Sequence, residues 1–236
     1  MKKTGISIIL PCFNEGPTFE KSVDKIVSEL KKLKRNWELI FVEDKSEDRT
    51  KESVERFVIK IKGARAIYHA KNQGRGQTVN DGIRAAHNNI CGYLDVDLEV
   101  SEKYIPLFIK EVESGCDLVV GNRFYEGGIN SLSRLLSSKV YALAVRSILK
   151  LPVEDTECGY KFFNKSKIMP ILARVKSTHW FWDTEICAQA FWQNLKISQV
   201  PVIFRRRLDK RSTVKMIPDS IDYIKNLWRL RAKTPS

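Results

Sequence analysis

Three carboxylates follow one apolar run at alternate positions near residue 95. The run Cys91-Gly92-Tyr93-Leu94 continues directly into Asp95-Val96-Asp97-Leu98-Glu99. Because alternate residues of an extended segment point to the same side, we expect Asp95, Asp97 and Glu99 to share one face where a strand ends. Carboxylate oxygens suit Mg²⁺ or Mn²⁺, and these ions usually keep positions open for substrate phosphates. The segment therefore predicts a divalent-metal site for a phosphate, and a solvated acidic loop is the alternative.

The elements that must position these carboxylates are predicted by apolar periodicity, which alternates between strand and helix over the first half of the chain. Strands are expected at residues 6–10, 37–42, 66–69, 91–94 and 117–121. Helices are expected at residues 19–33, from about 48, at about 76–86, at about 101–113 and at about 132–149. This rhythm predicts an α/β fold with a mostly parallel sheet flanked by helices and joined by right-handed crossovers.

Unusual residues follow three of the predicted strands, and ligands of such sheets lie outside the carboxyl ends of the strands. Pro11-Cys12-Phe13-Asn14-Glu15 follows the first strand, Glu43-Asp44-Lys45-Ser46 the second, and the three carboxylates the fourth. These segments should converge on one crevice. A dinucleotide-binding reading of Asn72-Gln73-Gly74-Arg75-Gly76 is disfavoured, because Val79 stands at the third glycine position and the segment follows the third strand.

Size and charge limit the classes of protein. A chain of 236 residues with 43% hydrophobic composition is large enough for one α/β domain, with or without a small appendage. The net charge is +13, and residues 196–236 carry 11 basic and 3 acidic side chains, so they hold +8 of it. Such a surface is either solvated, or it faces nucleic acid or an anionic membrane. Aromatic residues do not alternate with the basic ones, so we expect no nucleic-acid partner.

Cysteine usage and hydropathy indicate the environment. Five cysteines without a CxxC pair predict buried thiols in a reducing compartment. Neither a signal-peptide apolar region nor an uncharged apolar stretch of 18 residues occurs in the sequence, so we expect a chain without a leader and without a membrane span.

Seven segments together resemble glycosyltransferase family 2, the inverting enzymes of GT-A fold, and within it the dolichyl- or polyprenyl-phosphate hexose synthases without a transmembrane domain. The resemblance spans almost the whole chain. The matching segments are Pro11–Glu15, Val42–Thr50, Asn72–Gly76, Asp95–Glu99, Gly121–Phe124, Asp155–Phe163 and Phe181–Glu185.

The resemblance implies a donor site and an acceptor site. Pro11, Asn14, Glu15 and Asp44 would line the nucleoside pocket, and Arg207 would reach the donor's diphosphate. Asp95, Asp97 and Glu99 would hold the Mg²⁺ or Mn²⁺ that offsets the charge of the leaving diphosphate. Arg123, Arg134 and Ser138 would bind the phosphate of a lipid acceptor, since the planar fork of arginine binds phosphate oxygens bidentately.

Departures from the family pattern leave the base preference and loop closure open. Glu99 replaces a usual Gln, Glu43 a common Asp, Lys45 a common Gly, Lys210 a common Gly and Thr213 a usual Lys. Asp183 and Glu185 occupy acidic positions where, for a hydroxyl acceptor, either would be the general base. The alternative for Asp183 is an N-cap of a helix beginning at Thr184.

These expectations combine into one reading. Residues 1–212 are expected to form the transferase domain, and residues 213–236 a basic amphipathic helix that docks on a membrane. The reaction would move mannose or glucose from GDP-mannose or UDP-glucose to a polyprenyl phosphate, at the cytoplasmic face of the membrane. A hydroxyl acceptor on a glycan or wall polymer, or a silent nucleotide-sugar-binding module, are the alternatives.

Overall fold

The computed structural model describes residues 4–126, 143, 145–207 and 216–232, with side chains of the last segment described from residue 222. Its centre is a seven-stranded sheet. The strands are β1 (Ile6–Cys12), β2 (Trp37–Glu43), β3 (Ala64–Tyr68), β4 (Ile90–Leu94), β5 (Leu118–Tyr125), β6 (Tyr160–Asn164) and β7 (Ile197–Phe204). Their order is β3-β2-β1-β4-β6-β5-β7. Only β6 runs antiparallel to its neighbours, so the expected mostly parallel sheet is confirmed.

Seven α-helices accompany the sheet within the described residues, besides a helical segment at residues 145–149. They are α1 (Phe19–Lys32), α2 (Thr50–Lys60), α3 (Arg75–Ala85), α4 (Ile105–Glu113), α5 (Lys165–Leu172), α6 (Trp182–Trp192) and α7 (Met216–Arg231). A short 3₁₀ turn at Glu102–Tyr104 precedes α4, so the helix predicted from Ser101 begins later than expected. Residues 145–149 are helical, and the rest of the predicted helix 132–149 lies almost wholly outside the described residues.

Helices cover both faces of the sheet, and α1 shows why: it has one apolar face, which it buries against the strands. The buried side of α1 carries Phe19, Val23, Ile26, Val27 and Leu30, at the spacing that predicted the helix. Helices α1, α2 and α4 pack on one face of the sheet. Helices α3, α5 and α6 pack on the other. The carboxyl ends of β1, β2 and β4 are therefore left open at one edge, where the predicted site residues lie.

Helix α7 packs beside α6, outside the two main cores. Its Leu227 and Leu230 are buried in a third cluster with Phe181, Ala188 and Leu149. No helix in the described part of the chain is long and apolar enough to cross a membrane. Of the five free cysteines, four are buried as expected and Cys116 is half-buried.

Candidate active site

The acidic segment after β4 is a turn and not a continuation of the strand. Strand β4 ends at Leu94. The Leu98 N–H donates to the Asp95 carbonyl at 3.3 Å, and Leu98 has a left-handed φ of 56°. The Asp97 carboxylate then accepts from the Glu99 N–H at 3.1 Å. The predicted alternation along an extended segment is therefore wrong, because the chain reverses between Asp95 and Leu98.

The turn concentrates negative charge without forming a complete protein cage for a metal. No group of three or more His, Cys, Asp or Glu side chains among the described residues is arranged to hold an ion. Burial raises the pKa of Asp95 despite the Arg75 guanidinium, and the Asp97 carboxylate adds to that rise. Burial also raises the pKa of Glu99. This donor set fits a hard cation of the Mg²⁺ type, which commonly takes one or two carboxylates and completes its shell with substrate phosphates and water.

The loops after β1 and β2 are tied together beside this turn. The Asn14 N–H donates to the Ser46 hydroxyl at 3.1 Å, and the Glu47 N–H donates to the Asn14 side-chain oxygen at 2.8 Å. The Gly16 N–H donates to Asp48 at 3.1 Å. Asn14 has a left-handed φ of 53°, which asparagine tolerates better than most residues. The structure thus brings together the segments after β1 and β2, both of which were predicted to line the nucleoside pocket.

Asp44 directly follows β2, as expected, and its carboxylate has partners within the protein, so its contact with a nucleoside stays a prediction. Its side chain is buried, and it accepts from the Gln73 N–H at 2.8 Å and the Gly74 N–H at 2.9 Å. The His69 Nδ1 lies 2.6 Å from the same carboxylate. The carboxylate predicted to face a ribose or base is therefore engaged in anchoring the loop before α3.

The other two predicted nucleoside-pocket residues also have protein contacts. Pro11 lies within β1, in register with Val42 of β2, and is buried. Glu15 accepts from the Phe13 N–H at 3.2 Å, and its own N–H donates to Thr50 at 2.9 Å. Their contact with a nucleoside stays a prediction.

Arg207 lies against the acidic turn, although 108 residues separate it from Glu99. Its N–H donates to the Glu99 carboxylate at 2.9 Å, and its guanidinium donates to the Asp97 carbonyl at 3.3 Å and to the Thr18 hydroxyl. The predicted diphosphate-binding arginine is therefore at the expected edge of the sheet. Lys210 and Thr213, the two departures that follow it, lie outside the described residues.

A buried charge cluster adjoins the turn, and two of its members, Arg75 and Lys161, were not predicted. Arg75 donates to one oxygen of Asp95 through Nε at 3.0 Å and Nη2 at 2.7 Å, and to Asp183 through Nη1. Lys161 Nζ donates to Asp183 at 2.5 Å, and the Tyr93 hydroxyl also donates to Asp183. A lysine inside the apolar strand Tyr160–Asn164 was the sequence signal that could have revealed this cluster.

The environment of Asp183 opposes the role of a general base. Burial alone would raise its pKa, but Arg75 and Lys161 hold the pKa below the ordinary value, whereas a base acting near neutrality needs a higher one. The N-cap alternative is wrong, because α6 begins at Trp182 with Phe181 as its N-cap.

Glu185 is buried two residues further along α6, and its contacts are also with the protein. One carboxylate oxygen accepts from the Lys176 N–H at 3.1 Å and from the Ser177 N–H at 2.8 Å. It therefore holds the segment before α6 in place. A catalytic role for either acid stays a prediction that these contacts do not favour.

Arg123, expected to clamp a lipid phosphate, forms a bidentate pair with a carboxylate of the protein, and its contact with an acceptor stays a prediction. Its Nε and Nη2 donate to the two carboxylate oxygens of Asp155 at 2.6 and 2.8 Å. The central carbon of the guanidinium lies 5.5 Å from the centre of the Phe204 ring. Burial lowers the pKa of Arg123, but Asp155 more than offsets this, so the guanidinium stays charged. The predicted partners Arg134 and Ser138 lie outside the described residues.

Gly159 is required by the close approach of Asp95. A Cβ at this position would lie 1.8 Å from an Asp95 carboxylate oxygen and 2.6 Å from an Arg75 nitrogen. We expect Gly159→Ala to displace the Asp95 carboxylate from Arg75. The cost in the free energy of unfolding should be about 3 kcal/mol, because the buried Arg75 guanidinium loses one of its two carboxylate partners. Thermal unfolding should therefore shift by about 6–12 °C.

Gly115→Ala is the control for Gly159→Ala, since its Cβ would meet nothing within 4 Å and only its φ of 97° opposes alanine. That strain should cost about 1–2 kcal/mol. Equal loss of stability in the two variants would contradict the packing described for Asp95.

Comparison with known proteins adds sequence relatives. The family model "Glycosyl transferase family 2" matches residues 7–172. Glycosyltransferase AglD of Haloferax volcanii is 26% identical over 237 residues, covering 97% of this chain and 38% of that protein. Dolichyl-phosphate beta-glucosyltransferase of Saccharomyces cerevisiae is 27% identical, covering 96% of this chain and 74% of the relative. The chain thus spans well under half of AglD and about three quarters of the yeast protein.

Solved structures share the fold. Glucosyl-3-phosphoglycerate synthase of Mycobacterium tuberculosis, in complex with phosphoglyceric acid, superposes with a TM-score of 0.75 at 22% identity, covering 99% of this chain and 81% of that one. The same enzyme with Mn²⁺ and UDP-glucose gives a TM-score of 0.73 at 19% identity, covering 99% of this chain and 80% of that one. At this identity the likeness concerns the architecture, which is the GT-A fold expected from the sequence.

Proposed function

This chain belongs to glycosyltransferase family 2, and from that premise we propose that it moves a glucosyl residue from a nucleotide-sugar donor to the phosphate of a polyprenyl lipid. Glucose is favoured over mannose because relatives from yeast and from Trichomonas vaginalis are dolichyl-phosphate beta-glucosyltransferases. UDP-glucose is the proposed donor, and GDP-mannose is the alternative.

One observation carries the proposal. The loops after β1, β2 and β4 meet at a single edge of the sheet, and Arg207 contacts the acidic turn there. An edge of this kind can take a nucleoside beside the β1 and β2 loops and a diphosphate beside Asp97 and Arg207. When bound, Mg²⁺ or Mn²⁺ would supply the positive charge that stabilises the leaving diphosphate.

The proposed acceptor explains why no general base is needed. A phosphate monoester has its second pKa near 6 and is mostly dianionic at neutral pH, so it is already a nucleophile. Attack opposite the leaving diphosphate inverts the anomeric carbon. The low pKa of buried Asp183 agrees with chemistry that uses no base there. A hydroxyl acceptor would need a base, and a silent binding module would bind donor without turnover.

Donor binding is the first test of the proposal. We expect UDP-glucose with Mn²⁺ to stabilise the protein against thermal unfolding, by about 2.7 kcal/mol at a hundredfold excess over Kd. GDP-mannose should stabilise it less, and EDTA should remove most of the effect. Thermal shifts measured for both sugars and both free nucleotides give the comparison. Failure of every nucleotide sugar to stabilise the protein would contradict the proposed function.

We also propose that α7 contacts the membrane that holds the acceptor. Leu227 and Leu230 face the protein, whereas Ile224 and Trp228, one turn apart, are 56% and 59% exposed. Lys225 and Arg229 are exposed beside them. An apolar pair flanked by basic side chains suits the interface of an anionic bilayer. One face of α7 therefore packs on the protein, and its exposed face is the proposed membrane contact.

Replacing Ile224 and Trp228 together with Gln is expected to weaken binding to vesicles of phosphatidylserine and phosphatidylcholine several-fold. Each basic residue near the surface adds about 1 kcal/mol, about fivefold, so binding should also fall as salt rises. Ile59→Gln is the matched control, because Ile59 is 88% exposed on α2. Co-sedimentation measures the bound fraction. If the double variant sediments like Ile59→Gln, α7 is not the contact.

A further inference from the structure

Arg75, the first residue of α3, has no role in the mechanism above, yet its side chain is only 12% exposed and bridges two acids. Two of its nitrogens meet the same oxygen of Asp95, and a third meets Asp183. Asp95, by contrast, keeps 38% of its side chain exposed at the edge of the sheet. Arg75 therefore lies between a buried anchor and an accessible carboxylate.

The guanidinium of Arg75 lies near two aromatic rings. The rings of Tyr93 and Trp180 lie 5.4 and 5.3 Å from its central carbon. Cation–π contacts of this kind stabilise a desolvated guanidinium. A flexible arginine would not define where Asp95 points, but Arg75 is restrained by two aromatic rings and by its bond to Asp183.

The anchor beneath Arg75 is itself held in place. Asp183 accepts from Lys161, whose side chain is fully buried, and from the Tyr93 hydroxyl. Lys161 also donates to the Cys158 carbonyl at 2.6 Å. The cluster contains two cations, Arg75 and Lys161, and two carboxylates, Asp95 and Asp183, so its charges balance. Removing the charge of Asp183 would leave the buried Lys161 without a charged partner, which is costly.

We propose that Arg75 is a positioning residue that fixes the Asp95 carboxylate for donor binding, and that Asp183 and Lys161 act through Arg75. The inference rests on the proposed function, since Asp95 matters here as part of the donor site. The inference gives Asp183 a role in positioning the Asp95 carboxylate of the donor site, and it gives Asp183 no role in the chemistry of the acceptor. Asp183 follows Asp95 by 88 residues in the sequence, but Arg75 alone connects the two carboxylates in the proposed role.

The test compares five variants, one of them a double variant, by calorimetric binding of UDP-glucose with Mn²⁺, which needs no turnover. Arg75→Lys keeps the charge but loses the fork, and Asp183→Asn keeps the shape but loses the charge. We expect each to weaken donor binding about tenfold. In an Asp95→Asn background, Arg75→Lys should have no further effect, because the residue through which it acts is gone. Arg65→Gln is the control, since it breaks a pair with Glu38 and a contact with Ala85 at the other end of α3.

The pH dependence of kcat separates positioning from base catalysis. A positioning role predicts that Asp183→Asn weakens donor binding and leaves the shape of the pH profile unchanged. Loss of the acidic limb with unchanged donor affinity would overturn the inference, because Asp183 would then be a base. Thermal unfolding of each variant checks the fold, and Asp183→Asn decides the matter if Arg75→Lys does not fold.

The two proposals fail in different ways. If the wild type binds donor and Arg75→Lys binds it equally well, the positioning inference is overturned and the proposed function stands. If the wild type binds no nucleotide sugar, both are overturned.

Discussion

The Asp97→Asn variant is expected to lose at least nine tenths of its transfer activity at saturating Mn²⁺ while keeping its fold. Asp97 lies on the acidic turn, half-buried, with one oxygen accepting from the Glu99 N–H. Asn preserves that acceptor but removes the charge proposed to hold the cation at the leaving diphosphate. Loss of a required ligand should raise the barrier by at least about 1.4 kcal/mol, which is a tenfold change in rate.

Asp24→Asn is the matched control for Asp97→Asn, because it makes the same chemical change at an exposed position of α1. Initial rates with labelled donor should separate the two variants, and their unfolding curves should coincide with that of the wild type. An Asp97→Asn protein that retains more than about a tenth of wild-type activity would contradict the metal assignment.

Arg123→Ala is expected to destabilise the protein, because Arg123 is the buried partner of an acidic side chain. Asp155 loses its bidentate partner, and Glu157, 4.0 Å from Arg123, loses its nearest described cation. Breaking a buried pair from one side typically costs about 3–5 kcal/mol. Denaturant unfolding should detect that loss directly.

A second variant separates stability from acceptor binding. The double substitution Arg123→Ala with Asp155→Ala removes both charges, so most of the stability should return. If Arg123 also meets the acceptor, the double variant should still bind UDP-glucose with Mn²⁺ normally but transfer no sugar to polyprenyl phosphate. Normal transfer by the double variant would show that Arg123 serves only the ion pair with Asp155 and does not bind the acceptor.

Local patterns predicted most of the first half of the fold, because burial repeats at the period of each element. The apolar face of α1 and the buried strands β1, β2 and β4 lie within a few residues of their expected positions. The acidic turn was mistaken for extended chain, since alternating carboxylates look the same in the sequence whether or not the backbone reverses at Leu98.

The positions of the site residues along the chain were predicted better than their partners. An acid after β2 was expected. Nothing in the local sequence reveals that the Gln73 and Gly74 N–H groups donate hydrogen bonds to the Asp44 carboxylate. The pair of Arg75 with Asp183 joins residues 108 apart in sequence, and that of Arg123 with Asp155 joins residues 32 apart. Such pairs depend on how the sheet is assembled, which periodicity does not specify.

Transfer of labelled glucose from UDP-glucose to a polyprenyl phosphate in anionic vesicles tests the central claim most directly. We predict label in the organic phase as a β-linked glucosyl phosphate lipid, formed with Mn²⁺ or Mg²⁺, absent with EDTA and reduced at least tenfold in Asp97→Asn. Bound or hydrolysed donor with no lipid-linked label, under conditions where the vesicles retain the protein, would contradict the account.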